Sequence, residues 1–117
     1  MLLVTGPRRV SVRRIVGVPR ALMRLVGLVP PVQVALSEDT RARETILISA
    51  VGDGQGFRAK VSSVGQLVLP APMIAVLNLD SDRAVYLRAR ADLTALQMMS
   101  PRQTFAVASA RSSKVSS

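Results

Sequence analysis

The sequence repeats itself once, at a spacing of 51 residues, and that property limits the folds open to it more than any other. RVSVRRIVGVP at 9–19 lies over KVSSVGQLVLP at 60–70 without a gap. Val10 falls on Val61, Ser11 on Ser62 and Pro19 on Pro70. In the same register Leu28 falls on Leu79, Val34 on Val85 and Leu36 on Leu87, six identities in the 28 pairs from 9 to 36. The matched positions also share structural tasks. Gly27 lies over Asn78, the two residue types that best tolerate the left-handed conformation ending a helix, and each is followed by a leucine able to make the accompanying apolar contact. Each is preceded by a short apolar run opened by proline, at 19–26 and 70–77, and proline is favoured in the first helical turn. Two short helices are predicted.

The segments around each helix read as strands. Residues 10–18 and 59–69 are rich in β-branched side chains and poor in helix formers. After the helices, residues 32–36 and 84–87 place Val34, Leu36, Val85 and Leu87 on one face by period-two alternation. Polar turns at 37–44 and 88–92 lead to last strands at 45–50 and about 93–99. Each half is therefore strand, strand, short helix, strand, turn, strand. The Gly-rich stretch 52–57 reads as a flexible linker. A half of this size has too little core to stand alone, so the two are expected to pack into one barrel-like domain, mainly β with short helices.

Composition narrows the function. Cysteine and histidine are absent and the seven carboxylates are scattered, so disulfide scaffolds, the usual zinc ligand sets and the Ser-His-Asp triad cannot be built. No enzyme activity, metal site or cofactor is expected. Sixteen Lys+Arg against seven Asp+Glu give a formal charge of +9, and 14 of the cations are arginine, whose planar fork suits phosphate. Residues 1–36 hold six arginines and no acid, a block of +6; residues 37–57 sum to −2 and 58–117 to +5. This balance points to a polyanionic partner. With 3% aromatic residues, stacking of single-stranded bases has almost no raw material, so duplex binding is favoured over single-strand binding. No window reaches the roughly 18 uncharged apolar residues of a membrane span, and Pro19, Pro30 and Pro31 with Gly17 and Gly27 limit any helix in the basic block to about two turns. The chain reads as cytoplasmic and nucleoid-associated, with no membrane partner.

The run KVSSVGQLVLP at 60–70, followed by a short helix, Asn78-Leu79, an acidic turn and Val85-Tyr86-Leu87, resembles the AbrB/MazE/SpoVT swapped-hairpin DNA-binding family. That family's signature is approximately K-V-S-x-x-G-Q/R-x-x-I/L-P, a helix, L-G-L/I, a turn and V-x-V/L. The first half is a degraded copy: Arg9-Val10-Ser11, Val18-Pro19, the LVGL run at 25–28 and Val32-Gln33-Val34 fit, while Arg14 and Ile15 replace the Gly-Gln/Arg pair. The arrangement is similar to tandem, single-chain members found in actinobacteria. The resemblance implies a swapped-hairpin β-barrel built from two tandem β-β-α-β-β repeats, residues 8–51 and 58–101, with an extension at 1–7, the linker at 52–57 and a partly disordered tail at 102–117. Residues 104–110 of that tail are expected to begin it with a helical turn.

The same resemblance implies sequence-dependent binding to duplex DNA and transcriptional regulation by a single-chain pseudo-dimer, with further homo-oligomerisation open. It points to basic side chains on the first strand, in the loop before the signature proline and on the short helix. The candidates are Arg8, Arg9, Arg13, Arg14, Arg24, Arg58, Lys60 and Gln66, the last able to pair bidentately with adenine or, on a bland reading, to bond turn backbone. Arg88 and Arg90 are expected on a solvated face, and Arg41 and Arg43 in a local cluster with Glu38, Asp39 and Glu44. Met73, Met98 and Met99 are expected to fill an aromatic-poor core, and Asp80 and Asp82 to lie in the turn after the second helix. Two alternatives stand beside the regulator. One is an antitoxin whose tail wraps a toxin, disfavoured because that tail is short, basic and poor in apolar anchors. The other is a structural or membrane-surface protein using its basic amino-terminal third.

Overall fold

The computed structural model describes residues 4–52, 56–79 and 83–106. Its strands are β1 (Thr5–Arg9), β2 (Ile15–Gly17), β3 (Val32–Glu38), β4 (Thr45–Ala50), β5 (Phe57–Val61), β6 (Gln66–Val68), β7 (Ala84–Arg90) and β8 (Ala95–Met99). Helix α1 (Arg20–Leu25) lies between β2 and β3, and α2 (Ala71–Leu77) between β6 and β7; residues 101–106 form a further helical segment. All strand pairings are antiparallel, in one sheet of order β1-β7-β8-β4-β3-β5-β6-β2. The two ends of that order, β1 and β2, are consecutive in the chain and joined by a tight turn in which the Ser11 N–H donates to the Ile15 carbonyl at 2.9 Å. The sheet is thus a nearly closed barrel, with the β2–β6 pair on one wall and the β4–β8 pair opposite.

Alternation builds the interior. Val34 and Leu36 of β3, Ile46 and Ile48 of β4, Val85 and Leu87 of β7, and Leu96 and Met98 of β8 are all fully buried. Leu36 pairs with Ile48, Ile48 with Leu96, and Leu87 with Met98 across the strands. Leu22, Met23 and Leu28 from α1 and its exit, with Met73 and Leu77 from α2, join the same cluster. Each such side chain contributes about 1.5–3 kcal/mol of transfer free energy. Tyr86, Phe57 and Phe105 lie outside the core, which is aliphatic throughout, and Met73, Met98 and Met99 fill it as expected.

The helix boundaries follow their punctuation. Pro19 (φ −62°, ψ 129°) and Pro70 (φ −60°, ψ 150°) stand extended immediately before α1 and α2. Gly27 (φ +78°) ends α1, with its N–H donating to the Arg24 carbonyl and that of Leu28 to the Met23 carbonyl, the two bonds of a Schellman cap. Asn78 (φ 53°, ψ 49°) ends α2 in the left-handed region.

Several strand limits differ from the sequence reading. β1 begins at Thr5, inside what reads as an extension, and residues 10–14 form a turn rather than continuing a strand to Val18. Ser11 causes this break, since its Oγ accepts the N–H groups of Arg13 and Ile15. Arg88 and Arg90 belong to β7 rather than to a turn, and both are half-buried. The Arg88 Nε donates to Gln97 Oε1 at 2.5 Å, and Arg90 pairs with Asp92 at 2.6 Å, so neither is simply a solvated face. The helical segment after β8 begins at 101 instead of 104. Asp80, Asp82, the centre of the 52–57 stretch and the tail beyond 106 lie outside the described residues.

Candidate nucleic-acid interface

The turns ahead of β2 and β6 are built alike. The Ser62 N–H donates to the Gln66 carbonyl as Ser11 does to Ile15, and Ser62 Oγ accepts the Gln66 N–H at 3.1 Å, as Ser11 Oγ accepts that of Ile15. Each turn needs one left-handed residue, Arg14 (φ 67°) in the first and Gly65 (φ 82°) in the second. The turns are tied across the wall, because the Val18 N–H donates to the Gly65 carbonyl and the Leu69 N–H to the Arg14 carbonyl, both at 2.8 Å. Between them β2 and β6 pair Ile15 with Val68 and Gly17 with Gln66, while Val16 and Leu67 point inward and are buried. The outward strip is therefore Ile15, Gly17, Gln66 and Val68.

A cleft of about 390 Å³ opens on this wall, lined by Ile15, Val68, Lys60, Ser62, Ser63 and Gln66, with Pro31 at its edge. Its lining combines three apolar side chains with one cation, one amide and two hydroxyls. Gln66 is exposed, and among the described residues its side-chain amide has no partner; the turn uses only its backbone N–H and carbonyl. Arg58, two residues before Lys60, shares the outward face of β5. Arg13 and Arg14 are exposed in the turn leading into β2.

The remaining candidates are exposed but placed elsewhere. Arg8 and Arg9 lie on β1 beside β7, and Arg9 lines a separate cleft of about 420 Å³ with Pro7, Ala84, Tyr86, Pro101 and Phe105. Arg24, in the last turn of α1, is one helical turn from Arg20 on the same face. Arg20 donates to the Ser63 carbonyl, which places that face of α1 beside the turn between β5 and β6.

Hydrogen bonding sorts the cations more sharply than exposure does. Arg20 is held by Ser63, Arg41 by Asp39, Arg83 by the carbonyls of Val10 and Ser11, Arg88 by Gln97, Arg90 by Asp92, and Arg102 by Glu44 and the Asn78 carbonyl. Among the described residues, the cations whose side chains have no such partner are Arg8, Arg9, Arg13, Arg14, Arg24, Arg43, Arg58 and Lys60. Seven of these eight are the sequence candidates. Arg43 is the eighth; it was expected in a charge cluster, but Glu44 is instead engaged by Ser100, Asn78 and Arg102. Arg43 lies in the turn before β4, on the wall opposite β2–β6.

The acids Asp39 and Glu44 on that opposite wall are engaged. Asp39 is 3% exposed and accepts from the Gln97 Nε2, the Arg41 N–H and the Arg41 Nε. Burial pushes its carboxyl up, but the Arg41 N–H, Gln97 and the Arg41 guanidinium together hold it below the ordinary range. The bond from Ser100 is the main cause of a lowered Glu44, and Arg90 draws Asp92 down to about 2. Among the described residues, Arg13, Arg14, Arg58 and Lys60, on or beside the β2–β6 wall, take part in no ion pair with an acid. The sequence reading did not anticipate Ser63, Pro31 or Val68 as cleft residues; the exposed valine at the end of a three-residue strand gives no local signal of it.

No protein-family model matches the chain, and comparison with curated proteins and with solved structures finds no match. Among the described residues, no helix is long and apolar enough to cross a membrane.

Proposed function

We propose that the protein is a sequence-dependent, double-stranded DNA-binding transcriptional regulator, a swapped-hairpin barrel made by two tandem repeats of one chain. The observation that carries this reading is the strand register. β1 pairs with β7 through Arg9 and Ala84, and β5 pairs with β3 through Lys60 and Gln33. Moving 9 forward and 84 back by the same 51 residues turns the first pair into the second. The same shift maps Arg8↔Val85 onto Ala59↔Val34, and maps the β2–β6 and β4–β8 pairings onto themselves. Each half thus lends its first strand to the third strand of the other, as expected of exchanged hairpins.

The unpaired cations supply the second support. Eight described cations, seven of them the sequence candidates, have no side-chain partner among the described residues, which keeps their charge available for phosphate, and each one seated there releases a counterion. Two features weigh against the alternatives. Val10, Val16, Val18, Leu22 and Met23 of the basic amino-terminal third are in the core, the reverse of a segment laid on a bilayer. Residues 101–106 fold back on the barrel, with Arg102 on Glu44 and Phe105 against Tyr86 at 6.5 Å between ring centroids, so that part of the tail is already engaged.

A mobility-shift titration against the DNA upstream of the protein's own gene tests the reading. With about five cations engaged, log K falls with log salt at a slope of roughly −4 to −5. Arg8→Ala with Arg24→Ala weakens binding, whereas Arg43→Ala on the far wall leaves it unchanged. A slope near zero refutes it, while undiminished affinity in the double variant removes Arg8 and Arg24 from the interface.

A further inference from the structure

The self-mapping of the β2–β6 pairing places an approximate two-fold axis through that wall. Under the 51-residue shift Ile15 corresponds to Gln66 and Gly17 to Val68. Two identical halves would present the same residue at each pair of positions, and the ligand's two halves would be read alike. Here they differ at the centre of the candidate surface. Around the strip most differences favour the first half: Arg13 corresponds to Val64, Arg14 to Gly65 and Arg24 to Ala75, against Arg58, which corresponds to Pro7. All four of these arginines lack a side-chain partner among the described residues, so the first half offers three available cations against one from the second at these positions.

We infer that the target is a duplex site without dyad symmetry, bound in one orientation, with Gln66 set over adenine in one half and Ile15 over a thymine methyl in the other; this rests on the DNA-binding reading above. The chemistry of the two positions is not interchangeable. A free carboxamide matches the N6 donor and N7 acceptor of adenine, while an aliphatic side chain can only make apolar contact, for which thymine offers its methyl. Reversing the duplex sets Ile15 against adenine, leaving the N6 and N7 groups unanswered, and sets Gln66 against the methyl. A wrong pair at such a position lowers affinity roughly 5- to 150-fold. The charge bias adds affinity without choosing between the two orientations, because phosphate contacts carry no sequence information, so the choice rests on positions 15 and 66. Gly17 leaves room for this approach, since a Cβ added there meets nothing within 4 Å.

The test is selection of binding sites from a pool of random duplexes by the full chain, followed by orientation mapping. The sequence has no cysteine, so Ser63→Cys gives a unique attachment point for an iron chelate that cleaves nearby DNA. The expected result is an enriched consensus with no palindrome and cleavage confined to one side of its centre. Ile15→Gln, at a half-exposed position, makes the strip symmetric at 15 and 66 and should shift the enriched consensus toward a palindrome. Gln66→Ile, at an exposed position, does so with the opposite chemistry and should remove the adenine preference. A palindromic consensus from the parent protein, equal cleavage on both sides, or a consensus untouched by both substitutions overturns the inference while leaving DNA binding intact. Failure to retain any duplex at low salt overturns the DNA-binding reading, and this inference with it.

Discussion

Replacing Asp39 by alanine should destabilise the protein by about 2–4 kcal/mol, with a cost that fades in acid. The side chain is buried under the turn between β3 and β4, and accepts from Gln97 Nε2 at 2.9 Å and from the Arg41 N–H at 3.0 Å. Alanine strands both donors, at about 1–3 kcal/mol for each one kept from water. The Arg41 guanidinium, whose side chain is 62% exposed, returns to solvent and adds little. Unfolding entropy of about 2.1 cal/mol/K per residue over 117 residues converts this to a melting temperature lower by roughly 8–16 °C. Because the folded carboxyl is held below its unfolded value, its contribution is complete above about pH 4 and is lost as pH falls through the folded value. Thermal melts of parent and variant, followed by circular dichroism from pH 7 downward, should therefore show a gap that is constant above about pH 4 and narrows only as the folded carboxyl takes up its proton. A drop of less than about 3 °C at pH 7, or a gap that widens below about pH 4, refutes the account of Asp39 as an ionised, buried acceptor.

Three further substitutions probe other joints of the fold. Glu44→Ala removes the acceptor shared by Ser100, Asn78 and Arg102; a loss of about 1 kcal/mol is expected, with faster amide hydrogen exchange confined to residues 101–106. Gly56→Ala sets a Cβ 2.7 Å from the Leu36 carbonyl oxygen at φ +128°, so urea denaturation should show a loss of about 2 kcal/mol or more, whereas Gly17→Ala stays within about 0.5 kcal/mol. Met98→Ala should lose about 2–5 kcal/mol in the same assay, and Met98→Leu less than about 1.5 kcal/mol.

Much of this architecture can be read from local pattern. Proline before each short apolar run and a left-handed residue after it fix both helices, and alternating valine and leucine fix β3 and much of β7. β1 defeats such reading because its residues, TGPRR, carry no apolar alternation; it is a strand because β7 offers it an edge. The end of β7 is hidden for a related reason. Arg88 and Arg90 look like surface residues until Gln97, nine positions from Arg88, and Asp39, 58 positions from Gln97, are brought beside them. At the candidate interface, the acid-free block at 1–36 signals which arginines lack counter-charges. What it conceals is that Arg20 is spent on a backbone carbonyl, and that Arg9 faces a different cleft from Lys60.

The partnership between β1 and β7 also bears on how the molecule is born. Thr5 must wait for Leu87, 82 positions later, before its hydrogen-bonding groups find an edge. At a translation speed of roughly 5–20 residues per second, that interval is about 4–16 seconds. Throughout it the nascent strand carries Arg8 and Arg9 without its β7 partner, and closure of the sheet waits until β7 has been made.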